Sequence, residues 1–415
     1  MTSARATPPP EVILDSTLRD GEQAAGVALT PNEKAEYVRR AEAIGIRYIE
    51  VGFPQNSLDF DACRAAAGAA RIARIVAMAL TTPESVASAR QVGAHEVLLV
   101  VPCSESHFGH VYGGGFEQLC NQLSKSIKTA RAMGLEINVG LEDASQRDGA
   151  LLSRILRALR PHLPDIASLT IADTRGQLLG PEVEALIEDV RNQLTETRPL
   201  AFHAHNDLGL AVANSVAALS MRPPVECVQL TMCGIGERAG NASLEQVAVL
   251  LETKLARKTG INLTGLIGLA RFVEDIFLTP LHPHQPIVGS KVFLHESGLH
   301  QKGMLRDDTT YQFLDPARFA SESDLILGKH SGKWLRRQLA IDAGCTEDEV
   351  LALQTELATS DKRARRAAVK KLLEELRQTA FIGVGRREAV RLLKRRHKPQ
   401  TGSRGVVRSR RSRIG

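Results

Sequence analysis

EVILDSTLRDGEQ, residues 11–23, is the stretch on which the fold turns. Its first half, Glu11–Ser16, is a short run with β-branched Val12 and Ile13, as expected of a buried parallel strand. The residues after Ser16 separate two architectures that both alternate strands with helices. A doubly wound nucleotide-binding sheet places GxGxxG directly after its first strand. Here the strand runs into TLRDGEQ, which has one glycine, Gly21, among charged residues. Such a cluster suits the mouth of a (β/α)8 barrel, where chemistry collects on the loops leaving the strands.

The same texture recurs outward from this stretch. Tyr48–Gly52, Ile72–Met78, Glu96–Val101, Glu136–Gly140, Ser168–Ala172, Leu200–His205 and Glu226–Met232 read as further strands. Segments such as Asn32–Ile44 and Pro181–Leu194 read as the helices between them. Repeated strand–helix units predict an α/β fold, a (β/α)8 TIM barrel over residues 11–279. Beyond Thr279 the pattern breaks at Pro280, Pro283 and Pro286. Residues 280–345 are expected to form a linker and lid, 346–398 a small helical C-terminal subdomain, and 399–415 a disordered basic tail.

Composition excludes several classes of function. With 43 % hydrophobic residues over 415 positions the chain can bury a large core. No apolar run approaches the roughly 18–20 residues of a membrane span. MTSARATPPP lacks the apolar stretch of a signal peptide. The six cysteines, at 63, 103, 120, 227, 233 and 345, form no CxxC pair. A cytoplasmic protein with free thiols and no membrane partner is expected. The net charge of +6 describes neither part of the molecule. Residues 361–415 hold 19 Lys and Arg against 4 Asp and Glu, which leaves 34 basic and 43 acidic side chains in the preceding 360. The basic runs KRARRAAVKK and RLLKRRHK could meet nucleic acid, but Phe381 is the tail's one aromatic residue, so no stacking platform accompanies them. Leu372, Leu373, Leu376, Val390, Leu392 and Leu393 read better as apolar helix faces, and a nucleic-acid partner is not expected.

Polar residues converge at the strand ends TLRDGEQ (17–23), EVGFP (50–54), GLEDASQRD (140–148), ADTRGQ (172–177), FHAHNDLG (202–209) and CGIGERAGN (233–241). His203 and His205 stand two apart on a strand, so both imidazoles face one side. With Asp20 as an oxygen ligand they form a candidate divalent-metal site. Mixed N/O ligation suits Mg²⁺, Mn²⁺ or Zn²⁺ alike. The Gly-rich GIGERAGN follows the eighth strand rather than the first, which rules out a dinucleotide loop on context.

TLRDGEQ, HAHNDLGLAVANS, GIGERAGNASLEQV, HESGLHQKGML and LILGKHSGK, in this order, resemble the homocitrate synthase/isopropylmalate synthase family. HESGLH is most similar to the nitrogen-fixation type of homocitrate synthase. The resemblance implies a metal-dependent TIM-barrel acyltransferase that condenses acetyl-CoA with a 2-oxo acid. It implies Asp20, His203 and His205 as metal ligands with Asn241 as a further ligand or support, and Arg19 as the cation beside the nascent alkoxide. Glu142, His300 and Tyr311 match the residues serving proton abstraction from acetyl-CoA. Gln23 and Thr174 fall to the acceptor, and Gly234, Gly236 and Glu237 to acetyl-CoA. The segment carrying His300 and Tyr311 is expected to reach in from a neighbouring subunit, so a homodimer is implied.

The chain departs from the family pattern around the acceptor. Leu80 and Gln146 stand where arginines are usual, Arg147 comes one step late, and Arg175 replaces a common Val in DTRG. Arg147 and Arg175 are therefore expected to hold a second acidic group on the acceptor, 2-oxoglutarate or a phosphono- or phosphinopyruvate. An isopropylmalate synthase, with its apolar pocket, is the alternative that Arg175 disfavours. A lyase of the same barrel family would need a catalytic Cys, for which Cys233 is the candidate.

Overall fold

Eight parallel strands close on themselves in sequence order: β1 (Ile13–Asp15), β2 (Tyr48–Glu50), β3 (Arg74–Leu80), β4 (Glu96–Pro102), β5 (Glu136–Glu142), β6 (Ser168–Asp173), β7 (Leu200–Ala204) and β8 (Cys227–Leu230). Ile13, Leu14 and Asp15 of β1 lie opposite Val228, Gln229 and Leu230 of β8, which seals the ring. The TIM barrel expected from the sequence is present. This is a computed structural model, and it describes residues 13–146, 150–194, 196–359, 366–367 and 369–372. Residues 373–415, which hold the basic tail and the later part of the expected helical subdomain, lie outside the described residues, as does Arg147.

Helices cover the barrel because the strands lead into amphipathic segments, some with a clear start signal. Pro31–Ala43 begins with Pro31 at its first turn and a Thr30/Glu33 capping box, and Pro83–Gln91 starts from Thr82, whose side chain accepts from Ser85 N. The outer core between strands and helices holds fully buried Ile49, Ile75, Leu99, Leu123, Ile127 and Phe202. Inside the barrel, Leu14, Tyr48, Val76 and Leu98 fill the lower layers. Polar side chains complete this plug. Arg74 bonds Glu96 and Glu136, and Asn138 Nδ2 donates to Glu96 at 2.7 Å. The reactive end is therefore the opposite one, where the strands finish.

Two strand boundaries differ from expectation for a physical reason. β3 begins at Arg74 rather than Ile72, because the amides of Arg71, Ile72 and Ala73 all donate to Glu42 Oε1 at 2.6–2.9 Å instead of joining the ladder. β8 ends at Leu230, since Met232 N turns away to Thr17 Oγ1 at 2.8 Å. Beyond the barrel, helix Leu266–Ile276 is followed by a small unit in which Leu294–His295 pairs with Asp324–Leu325 around helix Gly298–Met304. Helices Lys333–Ala343 and Glu347–Thr359 come next. None of the six cysteines is in a disulfide. Among the described residues no helix is long and apolar enough to cross a membrane.

Candidate active site

Chain direction alone puts the C-terminal ends of eight strands around one opening. Arg19 and Asp20 lie just past β1, Glu142 is the last residue of β5, His203 is on β7, and His205 follows β7 in an isolated bridge to Asn241. These residues, Asn241 aside, share one cavity with Gln23, Met78, Leu98, Val100, Gly140, Thr170, Ala172, Thr174, Gln229, Glu237 and Arg238. Apart from Glu142, its strand-borne wall is uncharged, mostly apolar or small with Thr170 and Gln229 bonded to each other, and its rim is charged.

Asp20, His203 and His205 are all buried and each offers a ligand atom, these atoms lying within 4.8 Å of one another. His203 Nε2 is 3.5 Å and His205 Nε2 3.8 Å from Asp20 Oδ2. Asn241 Nδ2 donates to Asp20 Oδ1 at 2.7 Å and to the Ile235 carbonyl at 3.1 Å. That leaves Asn241 Oδ1 buried with no partner, an uncommon state that a cation would relieve. Burial opposes the charge on Asp20, but Arg19, the two imidazoles and the Asn241 amide outweigh it and hold the carboxyl well below its ordinary value. Burial pushes His203 down to about 3, reinforced by His205, so the ring presents a lone pair rather than a proton. His205 is lowered for the same first reason. One anionic oxygen and two neutral imidazoles, with a spare amide oxygen beside them, fit a divalent ion.

Arg19 is held from both sides. Its Nε donates to Glu50 Oε2 at 2.9 Å and its Nη1 to Asp20 Oδ2 at 2.5 Å. Glu50, at the end of β2, is fully buried and was not singled out from the sequence, although EVGFP placed a carboxylate at a strand end. Glu142 is raised above the ordinary glutamate value by burial and Asp143, while His107 and Arg19 pull it back in part. A second clamp is equally invisible to motif reading: Arg238 grips Asp207 with Nε at 2.9 Å and Nη2 at 2.8 Å, and Nη2 also donates to the Thr174 carbonyl at 2.6 Å.

Gly236 belongs to the metal side of its loop. A Cβ there would lie 2.1 Å from Asn241 Nδ2 and 2.8 Å from Asp20 Oδ1, so only glycine lets Asn241 reach Asp20. Gly234, the other glycine assigned to acetyl-CoA, sits in the same turn, its carbonyl accepting from Asn241 N at 2.9 Å. Glu237 does reach the cavity.

Not every candidate converges. Arg175 is absent from the cavity wall, and its Nη2 bonds Asp143 Oδ2 at 2.7 Å, because a buried carboxylate beside it demands a partner. Thr174 lines the cavity and its Oγ1 accepts from Asp143 N at 2.8 Å. Leu80 does not line it. His300 and Tyr311 stack on each other with ring centroids 4.0 Å apart. Both are exposed, and neither lines the cavity of this chain. Cys233 is buried outside the cavity wall, and burial, with Glu245 and Glu274 adding to it, pushes its thiol well up, away from a reactive thiolate.

Comparison with known proteins bears on the family and the fold. The HMGL-like family matches residues 12–273, and the family described as homocitrate synthase post-HMGL domain-like matches residues 287–380. A protein of Methanopyrus kandleri bearing the name putative (R)-citramalate synthase CimA is 34 % identical over 381 residues, covering 90 % of this chain and 74 % of its own length. Homocitrate synthase AksA of the same organism is 31 % identical over 92 % of this chain and 95 % of its own. The 2-isopropylmalate synthase of Pyrococcus furiosus is 32 % identical over 81 % of this chain and 70 % of its own. Among solved structures, the HMG-CoA lyase of Bacillus subtilis shares the fold at a TM-score of 0.59 with 21 % identity, over 66 % of this chain and 96 % of that one. The chain thus belongs to the 2-isopropylmalate/homocitrate synthase family, as its strand-end motifs, its fold and its matched length together require.

Proposed function

We propose that the chain is a divalent-metal-dependent acyltransferase that condenses acetyl-CoA with a 2-oxo acid, the methyl carbon adding to the keto carbon and water then cleaving the thioester to release CoA and leave a carboxymethyl substituent on a 2-hydroxy acid. The observation that carries this reading is the meeting of Asp20, His203 and His205 with Arg19 and Glu142 in one cavity. The ion bound by Asp20, His203, His205 and Asn241 would supply Lewis-acid polarisation of the acceptor's carbonyl. Arg19, fixed by Glu50, presents a guanidinium to the oxygen that becomes an alkoxide. Glu142, raised by burial, is suited to take a proton from the acetyl methyl group. We assign His300 and Tyr311 to the same proton transfer, delivered from a second copy of the chain.

The wall composition bears on the acceptor. Arg19 and Arg238 both already have carboxylate partners, and the strands contribute Met78, Leu98, Val100, Gly140 and Ala172 together with Thr170 and Gln229, which bond each other, so no uncommitted cation faces the acceptor from the strands. That composition favours a 2-oxo acid with a short uncharged substituent. The acidic acceptors suggested by Arg175, 2-oxoglutarate and phosphonopyruvate, require that guanidinium to leave Asp143. The burial and high value of Cys233 disfavour the lyase reading. The test is thiol release from acetyl-CoA with pyruvate, 2-oxoisovalerate, 2-oxoglutarate, oxaloacetate and phosphonopyruvate, with the product identified by mass spectrometry. Highest kcat/KM with pyruvate or 2-oxoisovalerate is expected. A preference for 2-oxoglutarate or phosphonopyruvate would restore Arg175 to the acceptor, and no release with any of them would refute the condensation.

A further inference from the structure

Beside the cavity, the loops after β4, β5 and β6 meet on one carboxylate that the condensation chemistry leaves unused. Asp143 directly follows Glu142, is fully buried, and has φ 57°, in the left-handed region that non-glycine residues rarely adopt. Its amide donates to Thr174 Oγ1 at 2.8 Å, and Arg175 Nη2 donates to its Oδ2 at 2.7 Å. The same Oδ2 lies 3.1 Å from Nδ1 of His107, a contact of charge and proximity that is not aligned as a hydrogen bond. Asp143 Oδ1 is buried with no hydrogen-bond partner among the described residues. Backbone strain, complete burial and an orphaned oxygen gathered at one residue next to the candidate base are not what a passive loop requires.

The electrostatics give the arrangement a purpose. Two adjacent buried carboxylates oppose each other's ionisation, and an unpaired Asp143 would push Glu142 further toward its neutral form. Among the described residues the groups facing Glu142 are Arg19 from the β1 loop, His107, Cys103 and Tyr112 from the β4 segment, and Asp143 itself. Of these only Arg19 is a permanent cation, and it is shared with Glu50 and Asp20. We propose that Asp143 and Arg175 are positioning residues for the condensation, with Arg175 neutralising Asp143 and Asp143 holding His107 toward Glu142. The proposal rests on the role of Glu142 as the base. It also accounts for an arginine in DTRG without asking it to touch the acceptor.

The test compares Arg175→Val, Arg175→Lys, Asp143→Asn and the double variant Asp143→Asn/Arg175→Val in the full chain. Arg175→Val is expected to lower kcat about tenfold and move the acidic limb of the pH–rate profile upward, with KM for acetyl-CoA within about twofold. Arg175→Lys should retain most activity, and the double variant should recover much of what Arg175→Val loses, since removing the carboxylate removes the need for its cation. A loss confined to KM for the acceptor with an unmoved limb, or a double variant no better than Arg175→Val, overturns the proposal. A readout independent of turnover is the His107 side-chain resonance in the ¹⁵N-histidine-labelled chain, which should shift in both Asp143→Asn and Arg175→Val. A resonance unmoved in both overturns the contact even if turnover is normal. A shift in a chain that consumes acetyl-CoA with no acceptor refutes the condensation instead and leaves the contact standing.

Discussion

Glu142 is the residue on which pH dependence should be most visible. Its carboxyl is raised from the ordinary value of 4.5, first by burial. A base acts only when ionised, so activity should be lost as pH falls through this raised value, at a pH above that of an exposed glutamate. Glu142→Gln should lower kcat by about 10²–10⁴-fold and abolish the limb. The kcat/KM profile checks both, and a limb at the ordinary glutamate value would remove Glu142 from the role. At the metal, Gly236→Ala should cost metal occupancy, because the new Cβ falls on Asn241 Nδ2 and Asp20 Oδ1. Metal content after desalting measures this, and wild-type content in a folded variant would show that Asn241 is not needed there. That His203 and His205, the proposed ligands, face one side was legible in the sequence because strand geometry fixes which way an HxH pair points, and the structure brings both within reach of Asp20. The partners of Arg19 and Arg175 were not. Each depends on a carboxylate from another βα unit, Glu50 in one case and Asp143 in the other, and no spacing rule links residues across loops.

At the scale of elements, local composition carried the strand order but not the strand ends. The two-residue delay of β3 comes from Glu42, at the end of a helix, whose carboxylate collects three consecutive amides. Burial opposes its ionisation, yet these amides hold it below 4.5. A depressed carboxyl contributes stability that is complete above its unfolded value and fades as pH falls through the folded one. Glu42→Ala leaves three donors without their acceptor and should destabilise the barrel by about 3 kcal/mol, with a weakened acid dependence. Urea unfolding at neutral and acidic pH checks this. An unchanged midpoint at neutral pH would mean that water replaces the carboxylate at no cost. Gln301 plays a comparable part beyond the barrel. Fully buried, its Nε2 donates to the carbonyls of His295 and Ile326 and to Ser331 Oγ, which joins HESGLHQ to LILGKHSGK. Nothing in either motif's own spacing shows that they meet, and one glutamine side chain accounts for both occurring together.

For the whole molecule, the proposed chemistry requires an exposed His300–Tyr311 stack to serve a cavity it does not line. Within one chain the two candidate halves of the chemistry are apart: metal ligands, Arg19 and Glu142 at the barrel mouth, His300 and Tyr311 on the unit that follows. Leu299 and Phe313, flanking the stack, are 73 % and 69 % exposed, two large apolar side chains open to solvent beside it. A second copy related by two-fold symmetry would bring each stack to the other's barrel and cover these side chains in one move. Complementation distinguishes this from a stack that acts within its own chain. Glu142→Gln and His300→Ala each damage one half of the site, and if both halves belong to one chain, mixing the variants restores nothing. If they cross, random pairing puts both defects into one site of each mixed dimer and leaves the other intact. An equimolar mixture, unfolded and refolded together, should then recover about a quarter of wild-type activity. Recovery near zero, with a dimer confirmed by light scattering, would place the proton-transfer residues in the same chain and require the unit carrying them to close onto its own barrel.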